Sequence, residues 1–374
     1  MGKLILLFIG LTAILAIAIL NLVGAKPEGN LLTASPTPTQ TPTPTPQLIL
    51  KQPATSKLLE NNYHIFQTFN NCGPAALSMA LSYYGINESQ QKLGQDLRPY
   101  QIPNGDNDDK SVTLEELAEK SKEYGFVPYH RPNGNIEMIK YFITYDIPII
   151  ARTLTKANED IGHYRIIKGY NEQAAEIIQD DSLQNKNLRF SYDDFNKLWE
   201  KFNYEYLVLV PSDKVEIAEQ ILGEDTDKKT AWQKVLRQVF DSEVAQTRGA
   251  QGKLQENPND IYMRFNLSVA LYNVGNYQRS VEEFEKVEHL LPFRTLWYQI
   301  EPILAYYELR NYDRVFEITN RILNNYNRAF SELYILRGNI YKNQGNIEMA
   351  RSEYEKAVFY NINLKPAHEA LNSI

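Results

Sequence analysis

The chain has 374 residues, enough for two or three domains, and 43% of them are hydrophobic, as expected for a globular protein. The formal net charge of −7 argues against a nucleic-acid partner, because binding to nucleic acid requires a basic face.

The N-terminal segment predicts export across a membrane. Residues 4–23, LILLFIGLTAILAIAILNLV, carry no charge and are long enough to span a bilayer as a helix. Lys3 precedes this run, so the positive-inside bias places the N-terminus in the cytoplasm and the later residues outside. The length of the run favours a retained transmembrane anchor at 1–25. A cleaved signal remains the alternative, since VGA at 23–25 has the small-residue form of a cleavage site.

Residues 26–52 are predicted to be a stalk. They contain TASPTPTQTPTPTPQ at 33–47, in which alternating Pro and Thr cannot bury apolar surface. Proline holds such a segment in an extended polyproline conformation, which makes a semi-rigid spacer between the membrane and the next domain.

The C-terminal third repeats. GNY at 275–277, RNY at 310–312 and GNI at 345–347 recur at intervals of 35 residues. A period of this length, with a small-residue turn between two amphipathic helices, resembles tetratricopeptide repeats. We therefore expect residues 257–374 to form an all-α helical repeat array. Such arrays commonly bind a peptide or protein partner, although a purely packing or dimerising role is the alternative.

Residues 53–212 predict one α+β domain, because helical patterns come first and strand patterns follow. Residues 213–256 are charged and helical in pattern, and they are interpreted as a connector to the repeats. The expected elements of the α+β domain are helices at 72–84, 113–124 and 135–145, and strands at 126–129, 147–152, 164–170, 175–179 and 204–210.

Cys72 is the only cysteine of the chain, and it lies at a predicted helix start in FQTFNNCGPAAL. Pro74 suits the first turn of a helix, and the positive end of the helix dipole favours a thiolate over a thiol. Gln67 lies five residues upstream, where its amide could donate to an oxyanion.

A base and a carboxylate come from a later segment. His163 begins the strand HYRIIKGY, and the next strand, AEIIQ, ends at Asp180-Asp181. A β-hairpin would bring the start of the first strand close to the end of the second. A thiol, an imidazole and a carboxylate together meet the needs of nucleophilic acyl transfer.

The motifs QTFNNCGPAAL, YG at 84–85, GHY at 162–164, GY at 169–170 and the Asp180 segment resemble the papain-like cysteine peptidases. More narrowly, they resemble the bacteriocin-processing, double-glycine peptidase family and its extracytoplasmic relatives, over residues 60–211. The resemblance implies that Cys72 is the nucleophile, His163 the general base, Asp180 the orienting acid and Gln67 the oxyanion donor. Asp180 is preferred because Leu183 then keeps its place in the family pattern, and Asp181 remains open.

The resemblance also implies a peptide or protein substrate and no cofactor or metal. The chain has no phosphate-binding loop of the kind found in the family's ATP-driven exporters, so cleavage of double-glycine leaders is not carried over. The acidic loop NGDNDDK at 104–110 is expected to hold hydrated acids that cap the helix from Thr113. The expected function is a membrane-anchored, extracytoplasmic cysteine peptidase. The alternatives are an inactive binding module and an acyl transferase with the same site.

Overall fold

The structure is a computed structural model that describes residues 48–102, 108–240 and 260–374. The predicted transmembrane helix and the Pro/Thr-rich stalk up to residue 47 lie outside the described residues. No helix within the described ranges is long and apolar enough to cross a membrane.

The first part of the described chain is an α+β domain, as predicted. Its elements in chain order are β1 (Ser56–Leu58), α1 (Cys72–Ser82), α2 (Gln90–Leu97), α3 (Leu114–Lys122), β2 (Val127–Arg131), α4 (Ile136–Thr144), β3 (Ile149–Leu154), β4 (Gly162–Asn171), β5 (Glu176–Asp181), β6 (Leu188–Ser191), α5 (Tyr192–Trp199), β7 (Tyr206–Val210) and α6 (Val215–Leu222). The sequence patterns located α1, α3, α4 and the longer strands to within a few residues. They missed β1, α2, β6 and α5.

All strand pairs of the seven-stranded sheet are antiparallel, in the order β2-β7-β3-β4-β5-β6, and β1 adds to β4. Helices cover both faces, so the central strands are apolar at successive positions rather than at alternate ones. Ile166 packs with α1 and α3 on one face, whereas its neighbour Ile167 packs with α4 and α5 on the other.

Local sequence accounts for where the helices begin. Thr113 and Glu116 form a complete capping box at the start of α3, and Asn135 caps α4 through the Met138 N–H. At α1, an added Cβ on Gly73 would lie 2.1 Å from Val112 Cγ2. Only glycine therefore lets the start of this helix approach the segment that contains Val112 so closely.

The second part of the described chain is helical. Its elements are α7 (Lys228–Phe240), α8 (Ile261–Asn273), α9 (Tyr277–Glu285), α10 (Thr295–Tyr298), α11 (Glu301–Glu308), α12 (Tyr312–Leu323), α13 (Ser331–Asn343), α14 (Ile347–Tyr360) and α15 (Lys365–Asn372). The pairs α8/α9, α11/α12 and α13/α14 are helical hairpins whose turns contain the three motifs spaced by 35 residues. Ala270 and Ala350, at the close approaches between helices, are fully buried.

The helical part packs directly against the α+β domain. The Asn361 amide donates to the Leu97 carbonyl at the end of α2, at 3.1 Å. Arg294, next to α10, forms an ion pair with Asp160 at 2.8 Å, and Lys110 forms another with Glu332 of α13 at 3.1 Å. The two parts form one compact unit, so the helical part has a fixed position relative to the sheet.

Candidate active site

Cys72 is the first residue of α1, and its side chain is 8% exposed. The first N–H groups of a helix have no partner within the helix, and they carry the positive end of its dipole. Ser111 Oγ lies 3.6 Å from the sulfur, and the backbone N–H of Gly73 contributes to lowering the pKa of the thiol. The thiol therefore sits among hydrogen-bond donors that favour its ionised form.

His163 lies near the start of β4 and is 1% exposed. His163 and Cys72 line the same cleft, and the interaction of the imidazole with the thiol raises the pKa of His163. On the other side, His163 Nε2 hydrogen bonds with Asp181 Oδ1 at 2.9 Å. The structure thus brings a thiol, an imidazole and a carboxylate together. The hairpin of β4 and β5, which the sequence predicted, places the imidazole beside the carboxylate.

The carboxylate in this line is Asp181, and the expected pairing of His163 with Asp180 does not occur. Asp180 instead forms an ion pair with Lys168 at 2.9 Å and accepts from the Asn187 N–H at 2.8 Å. Asp181 was the alternative that the sequence left open.

The physical reason is a one-residue shift in strand register. Gly169 pairs with Ile178, but Ile167 pairs with Gln179, so Lys168 is an extra residue in β4. Directly paired residues share a face of the sheet, and a shift of one residue exchanges the faces. If Lys168 were instead paired with Gln179, with no bulge, Asp180 would oppose Ile167 on the face of His163.

The same stretch of β4 accepts the short strand β1. An added Cβ on Gly169 would lie 2.7 Å from the Lys57 carbonyl oxygen, so glycine is required for β1 to approach. Beside it, the Leu59 N–H donates to the Lys168 carbonyl at 2.8 Å. The extra residue is therefore held by a hydrogen bond from the residue that directly follows β1, a strand that the sequence analysis missed.

Arg165 holds the Asp181 carboxylate from its other side. Its guanidinium is fully buried and lies 2.5 Å from Asp181 Oδ2. Burial alone raises the pKa of Asp181, but the hydrogen bond and charge of His163, together with Arg165 and the Leu183 N–H, lower this pKa to about 2. Arg165 is two residues after His163, so strand alternation could have indicated that both side chains share a face.

The thiol and imidazole stabilise each other's charged forms. Burial raises the pKa of the Cys72 thiol, but the hydrogen bond and charge of His163, assisted by Ser111, outweigh burial and lower this pKa. Burial likewise lowers the pKa of His163, but the hydrogen bonds to Asp181 and Cys72 raise it overall. The pair is therefore biased toward thiolate and imidazolium.

Gln67 lines the same cleft as Cys72. Its side-chain oxygen accepts from Ser182 Oγ at 2.8 Å, and its backbone N–H donates to the Ser182 carbonyl at 2.9 Å. Because the oxygen is engaged, the amide nitrogen is the end of the side chain left to donate. Ser182 directly follows Asp181, so this contact also joins the Gln67 loop to the hairpin.

The part of the acidic loop that the structure describes, residues 108–110, differs from the expectation of hydrated acids, and residues 104–107 lie outside the described residues. Asp108 and Asp109 are each 6% exposed, and Asp108 forms an ion pair with the buried Arg98 at 2.6 Å. The cap of α3 is formed by Thr113 and Glu116 instead. This cluster precedes Ser111, whose position beside the thiol the sequence did not indicate, since no motif marks it.

Cys72 opens into a cleft of about 530 Å³. One wall comes from the α+β domain and includes Gln67 and His163. The other wall comes from the helical part and includes Phe293, Trp297 and Asn327. The helical part therefore contributes to the surface around the candidate nucleophile, which the sequence analysis did not foresee.

Residues 50–207 match the model of the Peptidase_C39 like family, and residues 331–358 match a tetratricopeptide repeat. No curated protein matches the chain.

Similar solved structures include a C39-like peptidase from Bacillus anthracis, with 15% identity and a TM-score of 0.35, which covers 41% of this chain and 97% of that chain. The peptidase domain of Streptococcus ComA, a bifunctional ABC transporter involved in a quorum sensing pathway, has 21% identity and a TM-score of 0.31, with 40% and 97% coverage. MamA has 16% identity and a TM-score of 0.30, with 41% and 79% coverage.

The family resemblance expected from the cysteine and histidine motifs is confirmed by the family match. Residues 50–207 thus resemble the C39-like peptidase family, and they are fused to a helical region that contains a match to a tetratricopeptide repeat.

Proposed function

We propose that the chain is a cysteine peptidase that hydrolyses peptide bonds through a thioester on Cys72. The observation that carries the proposal is the arrangement of Cys72, His163 and Asp181 at an open cleft. His163 interacts with the Cys72 thiol, and His163 Nε2 hydrogen bonds with Asp181 Oδ1 at 2.9 Å. The match to the C39-like family supports the same reaction class.

The proposed cycle starts with the Cys72 thiolate, which attacks the carbonyl carbon of the scissile bond. The oxyanion that forms accepts hydrogen bonds from the Gln67 amide and the Cys72 backbone N–H. The His163 imidazolium then donates its proton to the leaving amine, which breaks the C–N bond and leaves a thioester. Neutral His163 finally takes a proton from water, which attacks the thioester and releases the acid and the thiolate.

Asp181 and Arg165 serve this cycle without touching the substrate. Asp181 holds the imidazole through Nε2, so the other ring nitrogen faces the thiol. Arg165 and the backbone donors keep the carboxylate ionised, with a pKa of about 2, so it retains its charge throughout the working pH range. Both are positioning residues.

The first prediction concerns the thiolate. Because His163 lowers the pKa of Cys72, we expect the rate of alkylation by iodoacetamide to remain high at pH 6, where an ordinary thiol is protonated. In His163→Ala, burial becomes the main influence on the pKa of Cys72. Because burial raises this pKa, the alkylation profile of the variant should shift to higher pH. The rate is measured by mass spectrometry against pH, and the single cysteine makes the label unambiguous.

The control is His289→Ala, since His289 is exposed and lies in the helical part. Wild-type chain should also hydrolyse members of a peptide library, and Cys72→Ala should not. A wild-type alkylation profile like that of a free thiol would contradict the proposal. Products whose mass shows transfer to an added amine instead of water would identify an acyl transferase.

The second prediction compares the two aspartates. Asp181→Ala should lower kcat roughly 100-fold, because His163 loses its orienting partner. It should also lower the pKa of His163, since burial then acts with less opposition. Asp180→Ala should leave kcat within about threefold but reduce thermal stability, because removal of one partner leaves Lys168 buried without its ion pair.

Both variants are assayed by kcat against pH and by thermal unfolding, with activity expressed per folded molecule. A larger loss of kcat in Asp180→Ala than in Asp181→Ala would restore Asp180 as the orienting acid.

The third prediction concerns the oxyanion. Gln67→Ala should lower kcat roughly 100- to 1,000-fold while the alkylation rate of Cys72 stays unchanged, because alkylation forms no oxyanion. Ser182→Ala should produce a smaller loss, since the amide then rotates freely. Gln184→Ala is the matched control, because Gln184 is an exposed glutamine in the loop that contains Ser182. A parallel loss of alkylation and hydrolysis in Gln67→Ala would show that Gln67 supports the thiol instead.

We further propose that the chain is anchored in a membrane with its peptidase domain outside the cytoplasm. The support is the uncharged run at 4–23 and the Pro/Thr-rich segment that follows it in the sequence. The fourth prediction is that the full chain fractionates with membranes and is digested by protease added to intact cells, whereas a chain lacking residues 1–25 remains in the cytosol. Protection of the full chain in intact cells would contradict this orientation.

A further inference from the structure

The wall that the helical part contributes to the cleft contains an unusual polar residue. Asn327 lies between α12 and α13, is 1% exposed and lines the cleft. Neither its amide oxygen nor its amide nitrogen has a hydrogen-bond partner in the described part of the chain. A buried polar group without a partner costs free energy, so such a side chain needs an explanation in a native structure.

A peptide main chain matches what Asn327 lacks. A carboxamide carries one acceptor and two donor hydrogens, and a peptide unit presents the complementary N–H and C=O. A substrate that lies in the cleft would therefore satisfy both ends of the Asn327 side chain, which is already fixed by its burial.

The segment that carries Asn327 is tied to the candidate site. Ala329 forms a parallel β-bridge with Asp109. Two residues after Asp109, Ser111 Oγ lies 3.6 Å from the Cys72 sulfur. Tyr326, just before Asn327, has φ of 64°, a left-handed conformation that is strained for a residue other than glycine. The backbone here is held in place by its surroundings and does not follow local preference.

The accessible surface of the cleft is otherwise largely apolar. Five large hydrophobic side chains that remain exposed line it, on both walls. They are Phe69 at 50%, Ile161 at 39%, Leu183 at 48%, Phe293 at 53% and Tyr326 at 59% exposure. Exposed apolar groups gathered in one cleft mark a binding surface for apolar groups.

Basic side chains in the cleft are paired with acids. Arg294 pairs with Asp160 at 2.8 Å, Arg152 with Glu205 at 3.0 Å, and Lys110 with Glu116 at 3.0 Å. These pairings offset the positive charge that would otherwise attract an acidic substrate. The surface therefore favours recognition through main-chain hydrogen bonds and apolar contacts.

We propose that the helical part selects the substrate: Asn327 hydrogen bonds to the main chain of an extended peptide, and Phe293 contacts a bulky apolar side chain near the scissile bond. The proposal rests on the proposed peptidase function and adds to it a substrate class and the residues that recognise it. The helical array is then one half of the substrate site.

The test uses the full-length chain with Cys72→Ala, so that binding is measured without turnover. The ligands are three fluorescent peptides that differ at one position, which is Phe, Leu or Gly. Asn327→Leu should weaken binding of all three peptides about tenfold. Its thermal unfolding temperature should stay the same or rise, because the replaced amide had no partner. Asn324→Leu, an exposed neighbour in the same loop, should change neither quantity.

Phe293→Ala should weaken binding of the Phe and Leu peptides at least fivefold and leave the Gly peptide unchanged. Leu290→Ala is its control, since Leu290 is 52% exposed and does not line the cleft. In active chain, the same variants should raise KM more than they lower kcat.

Selective binding to Cys72→Ala without any hydrolysis by wild type would support this inference while the proposed function fails. Hydrolysis by wild type, with peptide affinity unchanged in Asn327→Leu and peptide preference unchanged in Phe293→Ala, would overturn the inference and leave the peptidase function intact. A lowered unfolding temperature with unchanged affinity in Asn327→Leu would assign Asn327 a structural role and also overturn it. Absence of binding and of cleavage would overturn both.

Discussion

The register of β4 against β5 is the constraint on which the candidate site depends. The extra residue Lys168 moves the ladder by one position, and this shift turns Asp181 toward His163 and Asp180 toward Lys168. Since neighbouring positions of a strand face opposite sides, a change of register by one residue would exchange the two acids. Leu59, which directly follows the short strand β1, stabilises this arrangement by its bond to the Lys168 carbonyl.

The same sheet supplies the electrostatic environment of the pair. Asp181 is fully buried, and a lone buried carboxylate would be costly or protonated. His163 and Arg165 lie on its two sides, so the charge is retained where the dielectric constant is low and interactions are strong. This retained negative charge raises the pKa of His163, and the protonated imidazole in turn lowers the pKa of Cys72.

The helical part forms one wall of the cleft around the candidate nucleophile. Its 35-residue period indicated a helical repeat array that binds a partner or serves only in packing or dimerisation. In the structure, ion pairs and hydrogen bonds such as Arg294 to Asp160 join it to the sheet domain beside the cleft. Phe293 and Asn327 consequently line the cleft into which Cys72 opens, so the proposed selection of a substrate and the proposed reaction with it would share one surface.

The sequence by itself determined the order of the longer helices and strands, the helical repeats and the chemical types of the site: a thiol at a helix start, an imidazole at a strand start, an acid pair at the next strand end and an amide upstream of the thiol. These features follow from local periodicity and from short motifs, which depend on residues close together in the chain. Only the tertiary structure decided which aspartate meets His163, that Ser111 and Arg165 complete the surroundings, and that Asn327 lines the cleft. Those outcomes depend on a bulge and on contacts between separate segments of the chain, and no local pattern specifies a register or a packing contact of that kind.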